Sequence, residues 1–161
     1  MLIRELNASD DTAIVEALYE DAADYWNLDR PQHTPAEVAD EFFTDAPPNC
    51  DPAQSHRLGL FLSDHLAGVA ELSFGFPRPG DAYLGLMIFA TWARGQGHGA
   101  TLLRHIEHLA RSRGCHEIFL GVLSSNPKGR AFWMREGFTD TGISRISAET
   151  GNNLHRLCKA F

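Results

Sequence analysis

The chain has 161 residues, 43% of them apolar, which is typical of one globular domain with a sizeable core, so we expect a single domain over residues 1–161. Its formal net charge of −7 argues against a general nucleic-acid binder or a protein that binds anionic membranes. The N-terminus does not resemble a signal peptide, no apolar run is long enough to span a bilayer, and three widely spaced cysteines suggest neither a disulfide framework nor a zinc site. We therefore expect a cytoplasmic protein.

Charge divides the chain into two parts. Residues 1–51 hold thirteen Asp and Glu side chains against Arg4 and Arg30, a balance of −11, whereas the remainder has a balance of +4. Solvated helix faces account for most of these charges individually. The asymmetry is still large enough to influence the choice of ligand.

The acidic N-terminal part predicts one strand followed by two helices. Residues 1–6 alternate weakly and predict an edge strand. Ser9 is the expected N-cap of a first helix, whose buried stripe is Ile14, Val15, Leu18 and Ala22. Residues 34–37 combine a capping box with a proline at the first helical position, so a second helix begins there and ends near Asp45.

The rest of the chain predicts a sheet covered by helices. The expected strands are 57–62, 66–74, 84–89, 117–122, 143–147 and 154–159. A helix that Gly114 should end is predicted by the spacing of Leu102, Leu103, Ile106, Leu109 and Ala110. The strands on either side of it should be parallel and joined by a right-handed crossover. The last two strands should form a hairpin around the turn 149–153. These elements predict a mixed sheet.

A glycine-rich loop, residues 94–100, lies between a buried strand and a helix. Glycines allow close approach to the backbone, and the first N–H groups of a helix lack intrahelical partners, so this arrangement favours phosphate binding. A tight turn without a ligand is the simpler alternative. The dinucleotide fingerprint G-x-G-x-x-G fits poorly, because the third glycine comes one residue too early and the loop lies past the middle of the chain.

Two linked motifs resemble the GNAT superfamily of acetyl-CoA-dependent N-acetyltransferases. Residues 94–99 follow the spacing R-x-x-G-x-G, and residues 126–138 resemble the segment N-x-x-(A/G)-x-x-F-(Y/W)-x-x-x-G-F of that family. The resemblance covers about residues 82 to 138. It implies an α/β (α+β mixed) fold, with a mostly antiparallel central sheet, helices on both faces and the order β-α-α-β-β-β-α-β-α-β-β. Residues 1–161 would then form a single N-acetyltransferase domain.

The resemblance also implies acetyl-CoA as co-substrate, with no metal. Two central strands should splay apart, so that the backbone edge at Met87, Ile88 and Phe89 pairs with the pantetheine arm. Asn126 falls where the family contacts this arm, although capping a helix is an equal alternative. The glycine loop should hold the pyrophosphate, mainly through its backbone, and comprises Arg94, Gly95, Gln96, Gly97, His98, Gly99 and Ala100.

The catalytic residues are less well defined by the resemblance. Many relatives carry a tyrosine at the position of Trp133, whose indole has no usable acidic proton. We expect Trp133 to pack on Phe138 and to form a wall of the acyl pocket, and Tyr83 or solvent to act as the acid. Glu71 is the candidate base because it lies in a strand pattern beside the central strand, although a solvent-facing role is equally compatible. Asp81 is a weaker candidate.

The sequence therefore predicts an acyltransferase that moves the acetyl group of acetyl-CoA directly to a primary amine. We expect a small cationic acceptor because the acidic first and second helices should border its site. Two alternatives stay open: a non-catalytic acyl-CoA-binding sensor or structural protein, and an acetyltransferase acting on a protein N-terminus or lysine. No nucleic-acid or membrane partner is expected, and a homodimer is left open.

Overall fold

Seven strands form one sheet that carries helices on both faces. The computed structural model describes residues 1–148 and 150–161, and within these ranges no helix is long and apolar enough to cross a membrane. The elements are β1 (Leu2–Glu5), α1 (Ala8–Asp21), α2 (Ala23–Trp26), α3 (Pro35–Thr44), β2 (His56–Leu62), β3 (His65–Phe74), β4 (Ala82–Phe89), α4 (His98–Ser112), β5 (Glu117–Leu123), α5 (Pro127–Arg135), β6 (Thr139–Ile146) and β7 (Asn153–Ala160).

The strand order across the sheet is β1-β2-β3-β4-β5-β7-β6. Every neighbouring pair is antiparallel except β4 and β5, which are parallel and are joined by α4. β7 pairs with β5 and leaves β6 at the edge. The predicted mixed, mostly antiparallel sheet with helices on both faces is confirmed, and the one-turn helix α2 is the element that the predicted order lacks.

The pairing of β4 with β5 is short. Only Ala82–Leu84 lie opposite Ile118–Leu120, and the strands separate beyond these residues. On its other edge β4 contains a bulge, because Glu71 lies opposite Leu86 whereas Leu72 lies opposite Leu84, which leaves Gly85 as the extra residue. The splay that the resemblance implies is therefore present.

Two apolar cores lie on opposite faces of the sheet. The first packs α4 and α5 on the sheet and includes Leu72, Leu103, Ile106, Leu120 and Phe138. The second packs α1 and α3 on the sheet and includes Val15, Leu18, Phe42, Val69 and Ile88. The strand residues of the second core come from β2, β3 and β4. Helices α1 and α3 therefore leave the same face of β5 and β7 uncovered.

The start of α1 differs from the prediction. Asn7, not Ser9, is the N-cap, since Asn7 Oδ1 accepts hydrogen bonds from Asp10 N at 3.0 Å and from Ser9 Oγ at 2.7 Å. Asparagine caps helices as well as serine does, and the structure uses the residue two positions earlier. Ile14, expected in the buried stripe, is 38% exposed. The helix instead buries Asp11 along with Val15, Leu18 and Tyr19.

The other predicted boundaries agree more closely. The capping box of α3 forms between Thr34 and Glu37, and Gly114 ends α4 with a φ of +80°. β6 begins at Thr139, four residues before the expected start. A register shift between Asp140 and Ser144 divides this strand. A strand broken by such a shift shows no continuous alternation for sequence analysis to detect. Glu149, predicted in the final turn, lies outside the described residues.

An ion pair between Arg4 and Asp11 connects β1 to α1. The Asp11 carboxylate accepts hydrogen bonds from Arg4 at 2.7 and 3.0 Å and from Asn7 N at 2.9 Å. Hydrogen bonding to Arg4 is the main cause that holds the pKa of Asp11 below its ordinary value. The stabilisation is therefore complete above the unfolded-state pKa of about 3.9 and is lost as the pH falls through the lower folded-state pKa.

We predict that Asp11→Asn lowers the free energy of unfolding by about 1–2 kcal/mol at pH 7, a range reduced for the partial exposure of Arg4. The deficit should shrink toward zero in urea unfolding below the folded-state pKa, where wild-type Asp11 is also neutral. Asp10→Asn, at an exposed neighbouring position of the same turn, should cost only a few tenths of a kcal/mol. A deficit of Asp11→Asn that is constant from pH 7 to pH 2 would contradict this assignment.

Candidate active site

A cavity of about 500 Å³ lies on the part of the sheet that α1 and α3 leave uncovered. The diverging halves of β4 and β5 form its floor, through residues 83–87 and 120–123. Helix α2, the α3 residues Val38, Glu41 and Phe42 and the segment that follows α3 form one wall, and the β6–β7 hairpin forms another. These walls touch where Asn152 Nδ2 donates to Leu28 O at 3.5 Å. The splay thus creates a cleft bounded by two walls and open to solvent.

The glycine loop precedes α4 at the end of β4. Gly95 and Gly97 have φ values of +74° and +84°, a conformation that glycine adopts without strain, and a Cβ at either position would meet nothing within 4 Å. Among the described residues, none of the backbone N–H groups of residues 95–100 donates a hydrogen bond, and α4 has no side-chain cap. An open surface of unpartnered N–H groups at a helix start fits a phosphate group.

Gly99 serves the packing of two helices. A Cβ at this position would lie 3.2 Å from the Phe132 ring of α5, so the absent side chain lets α4 and α5 approach. The three glycines therefore differ in role. Gly95 and Gly97 shape the open loop, and Gly99 leaves space for the Phe132 ring. The resemblance places Gly99 among the residues that hold the pyrophosphate, and its backbone N–H is the part of it that can face a ligand.

The side chains of the loop make contacts within the protein. Arg94 donates to the Asp24 carboxylate at 2.7 and 3.0 Å and to Phe89 O at 2.9 Å. Gln96 Nε2 donates to Trp92 O at 2.8 Å. The contact of Arg94 fixes the loop against α2, and the backbone N–H of Gln96 is left for a phosphate, whereas that of Arg94 donates to Thr91 O at 3.4 Å. His98 and Ala100 are half-buried in the first turn of α4.

Three consecutive residues of β4 have different surroundings. Met87 lines the cavity. The Ile88 side chain is 2% exposed in the second core, and the Phe89 ring covers Gly68, where a Cβ would lie 2.5 Å from it. The backbone of Ile88 and Phe89 is therefore the part that can pair with a cofactor arm, in line with the role that the resemblance implies.

Glu71 is buried at the cavity wall, with an exposed fraction of 6%. Arg57 Nη1 lies 2.9 Å from Glu71 Oε1, and Ser73 Oγ donates to the same oxygen. Burial raises the pKa of Glu71, while the Ser73 and Arg57 contacts oppose this increase. The solvent-facing alternative is wrong, because the carboxylate is buried against Arg57 and Ser73. A buried carboxylate of raised pKa in a cleft is suited to accept a proton.

The position of Glu71 depends on Gly85. A Cβ at Gly85 would lie 2.0 Å from Glu71 Oε2, so the carboxylate occupies the space that a side chain in the β4 bulge would need. The bulge therefore bends β4 and accommodates Glu71 at the same point of the sheet.

Tyr83 lies beside this group on the same face of the sheet. Tyr83 is opposite Ser73 in the β3–β4 pairing and lines the cavity, and the Phe76 ring contacts it edge-on at 5.0 Å. Burial raises the pKa of the Tyr83 hydroxyl; the charges of Arg156 and Arg145 lower it, and that of Glu71 raises it slightly. The phenol is thus protonated at neutral pH and can donate a proton.

Asn126 both caps α5 and lines the cavity. Its Oδ1 accepts from Gly129 N at 2.9 Å, which confirms the predicted cap. Tyr25, on α2, lines the same cavity, and its hydrogen bond to Asn126 partly opposes the rise in the pKa of Tyr25 that burial causes. Tyr25 is a second phenol in the cleft, and no motif in the sequence pointed to it.

Trp133 belongs to the first core and also forms part of the cavity wall. The indole is 6% exposed and contacts the rings of Phe132 and Phe138 edge-on at 4.8 and 5.5 Å. The predicted packing on Phe138 is confirmed.

The weaker candidate base, Asp81, does not belong to the cavity. Asp81 forms an ion pair with Arg78 at 2.8 Å, and it is not among the residues that line the cavity. Within residues 1–148 and 150–161, no group of three or more His, Cys, Asp or Glu side chains could hold a metal ion. The three cysteines are free thiols.

Sequence reasoning missed four residues of the cleft or its wall: Tyr25, Arg57, Arg145 and Arg156. Each reaches the site through a long-range contact that leaves no local pattern. The alternation of β2 and β7 could have placed Arg57 and Arg156 on one face, but only the strand register brings them to this cleft.

The model of the Acetyltransferase (GNAT) family matches residues 15–138, which is well over half of the chain. The chain therefore belongs to the GNAT acetyltransferase family. Members of this family are acyl-CoA-dependent N-acetyltransferases, and acetyl-CoA is their co-substrate. By sequence, no curated protein matches the chain.

Solved structures share the fold over almost the whole chain. A GNAT-family protein from Desulfovibrio desulfuricans is 19% identical, with a TM-score of 0.78 and coverage of 99% of this chain and 98% of its own. An acetyltransferase from Thermus thermophilus is 20% identical (TM-score 0.75, 100% and 98% covered). A ribosomal-protein-alanine N-acetyltransferase from Brucella melitensis is 23% identical (TM-score 0.76, 100% of both chains covered).

We predict that Trp133→Ala lowers the free energy of unfolding by about 3–5 kcal/mol, as large-to-small core substitutions do. Trp133→Tyr should cost less because it keeps an aromatic ring against Phe138. Trp92→Ala removes an indole that is 50% exposed and should cost less than about 0.5 kcal/mol. Urea unfolding measures all three variants. Wild-type stability in Trp133→Ala together with a selective loss of acetyl-CoA binding would contradict the packing role.

Proposed function

We propose that this protein acetylates a primary amine, with acetyl-CoA and the amine bound together in the cleft between β4 and β5. The proposal rests on one observation: strand β4 connects the loop that can hold acetyl-CoA with the carboxylate that can accept the proton of the amine. Its C-terminal end leads to the open N–H groups of residues 95–100, and its bulge holds the Glu71 carboxylate at the cavity wall.

The residues of the cleft fit acetyl-CoA, which supplies an acetyl thioester. The unpartnered N–H groups of residues 95–100 would hold the pyrophosphate, and the backbone edge of residues 86–89 would hold the pantetheine arm. Asn126 and Trp133 line the same cavity. The pairing of Arg94 with Asp24 would keep the loop in place before the ligand arrives.

Glu71 would take the proton that the amine must lose. Its raised pKa brings it closer to that of a base effective near neutral pH, and the adjacent Arg57 favours the ionised carboxylate and so opposes the effect of burial. A water molecule can relay the proton to the carboxylate.

A phenol would supply the proton for the departing thiolate. Tyr83 and Tyr25 both line the cavity and are both protonated at neutral pH, because burial raises the pKa of each. Trp133 cannot take this role, since its indole N–H is not acidic. Tyr83 is the candidate from the sequence, and Tyr25 is the alternative that the fold adds.

The acceptor would be a small molecule whose amine is cationic before it reacts. The cationic preference was expected from the acidic helices, but the α1 carboxylates of Glu16 and Glu20 are not among the residues that line the cavity. The carboxylates of Asp29, Glu41 and Asp45 line it together with Glu71 and can attract an ammonium group. The contact between Asn152 and Leu28 closes one side of the cavity. It limits the room for the acceptor, which supports a small molecule.

The first test is binding followed by turnover. At acetyl-CoA concentrations about 100-fold above the dissociation constant, the ligand should stabilise the fold by roughly 2.7 kcal/mol. Gly97→Val should abolish this gain, because its side chain would occupy the loop surface. Gly114→Val is the matched control: its φ is +80°, its Cβ is equally unobstructed, and it lies at the other end of α4.

Both glycine variants should lose similar intrinsic stability, and only Gly114→Val should keep the acetyl-CoA shift. Full affinity in Gly97→Val would refute the loop assignment. Thiol release from acetyl-CoA across a panel of amines then separates an enzyme from a sensor. Binding without release for any amine would favour the sensor, and release only with peptide N-termini or lysines would favour a protein acceptor.

The second test concerns the proton acceptor. Glu71→Gln should lower kcat/KM by about 10- to 1000-fold, with the loss concentrated below the pKa of the amine, where a base is most needed. The acid limb of the wild-type pH profile should lie above the ordinary glutamate pKa of about 4.3, since burial raises the pKa of Glu71. Activity is then present above the folded-state pKa and is lost as the pH falls through it.

Glu107→Gln is the control for this variant. Glu107 is also 6% exposed and ion-paired, with Lys159 at 2.5 Å, but it lies on α4 away from the cavity. Its variant should lose stability without changing the pH profile. If Glu71→Gln and wild type share the same acid limb and similar rates, Glu71 has a structural role only.

A further inference from the structure

Two arginines of the β6–β7 hairpin face the cavity from the side opposite Glu71. Arg156 of β7 lies opposite Gly121 of β5, and Arg145 of β6 lies opposite Leu154 of β7. Residues 154 and 156 share one face of the strand, so Arg145 and Arg156 are diagonal neighbours on that face. Both line the cavity.

Neither guanidinium has a carboxylate partner among the described residues. The other arginine of the cavity wall, Arg30, is paired with Glu41 at 3.3 Å. Arg156 is held in place by the Phe76 ring, with its Cζ 5.1 Å from the ring centroid. Phe76 in turn contacts Tyr83. The cleft therefore contains two adjacent positive charges that the described residues do not neutralise.

Tyr83 lies between these arginines and Glu71. The Arg156 and Arg145 charges lower the pKa of Tyr83 and the Glu71 charge raises it, in line with the placement of all three side chains around the cavity. From Glu71 on β3 to Arg156 on β7 the sheet crosses three strand spacings, a minimum of about 14 Å between backbones, to which the divergence of β4 and β5 adds. The long arginine and glutamate side chains reach across much of this distance. One small molecule can therefore contact both ends.

We propose that Arg145 and Arg156 form a subsite for a carboxylate of the acceptor, so that the substrate is an amino acid or a close analogue, with its amine directed toward Glu71. This inference rests on the proposed function and narrows its substrate class. A guanidinium pair binds a carboxylate through several charge-assisted hydrogen bonds, and Arg suits this planar geometry better than Lys. The carboxylates of the opposite wall attract the ammonium end, so the two walls orient a zwitterion.

The test compares matched pairs of acceptors. A panel of α-amino acids and longer ω-amino acids, each paired with its carboxamide, is assayed by thiol release from acetyl-CoA. For the acceptor that reacts fastest, the carboxylate form should have a kcat/KM at least about 10-fold above that of the amide. Arg156→Gln and Arg145→Gln should each remove most of this advantage, measured as the ratio of the carboxylate and amide rates within the same variant. Higher salt should also reduce the advantage in wild type.

Arg113→Gln removes one positive charge outside the cavity and is the control for net charge. Arg113 contacts Gln54 and the Phe74 ring, and its variant should keep the full preference for the carboxylate. The proposal is overturned if amides react as fast as their acids. It is also overturned if Arg145→Gln and Arg156→Gln leave the preference intact, or if neutral peptide N-termini are the best acceptors.

A binding measurement separates the failure of this proposal from the failure of the proposed function. Calorimetric titration of the CoA-saturated protein with N-acetyl amino acids and with their amides requires no turnover. Tighter binding of the carboxylates, lost in Arg156→Gln, supports the subsite even if no amine is acetylated. Thiol release from neutral amines alone, with no preference in binding, supports the enzyme and rejects the subsite.

Discussion

The structure depends on how far β4 pairs with β5. These parallel strands are joined only at Ala82–Leu84 and Ile118–Leu120, and their separation beyond that point creates the cleft. The bulge at Gly85 lies immediately after the last paired residue of β4. A bulge bends its strand and increases the local twist, which is a physical cause for the divergence. Because the Glu71 carboxylate occupies the space beside Gly85, one local irregularity opens the gap and positions the candidate base.

The two faces of the sheet have different roles, one in packing and the other in forming the cavity. The face under α4 and α5 is a continuous apolar core, and it fixes β4 and β5 below the cleft. On the other face the core under α1 and α3 ends at β4, so the space over β5 and β7 is left for a ligand. The pair formed by Arg94 and Asp24 connects the glycine loop to α2, which is itself a wall of the cavity.

Local patterns predicted the fold well, and long-range contacts explain what they missed. The glycine loop, the α3 capping box and the segment around Trp133 are each determined by residues a few positions apart, and the structure contains all three. Burial of Glu71 instead depends on Arg57, fourteen positions earlier in the chain and one strand away. The arginine subsite likewise requires the register of the hairpin against β5, which no short motif encodes. The Ser9 cap was wrong because Asn7, two residues earlier, is an equally good capping residue and is the one used.

The central claim is that the divergence of β4 and β5 is the acetyl-CoA site. Hydrogen–deuterium exchange of the backbone amides, measured by mass spectrometry with and without saturating acetyl-CoA, tests it most directly. We expect slower exchange in peptides covering residues 85–90 and 95–101, with little change in β1 and β2. Protection confined to other segments, with unchanged exchange along β4 and the glycine loop, would contradict the claim.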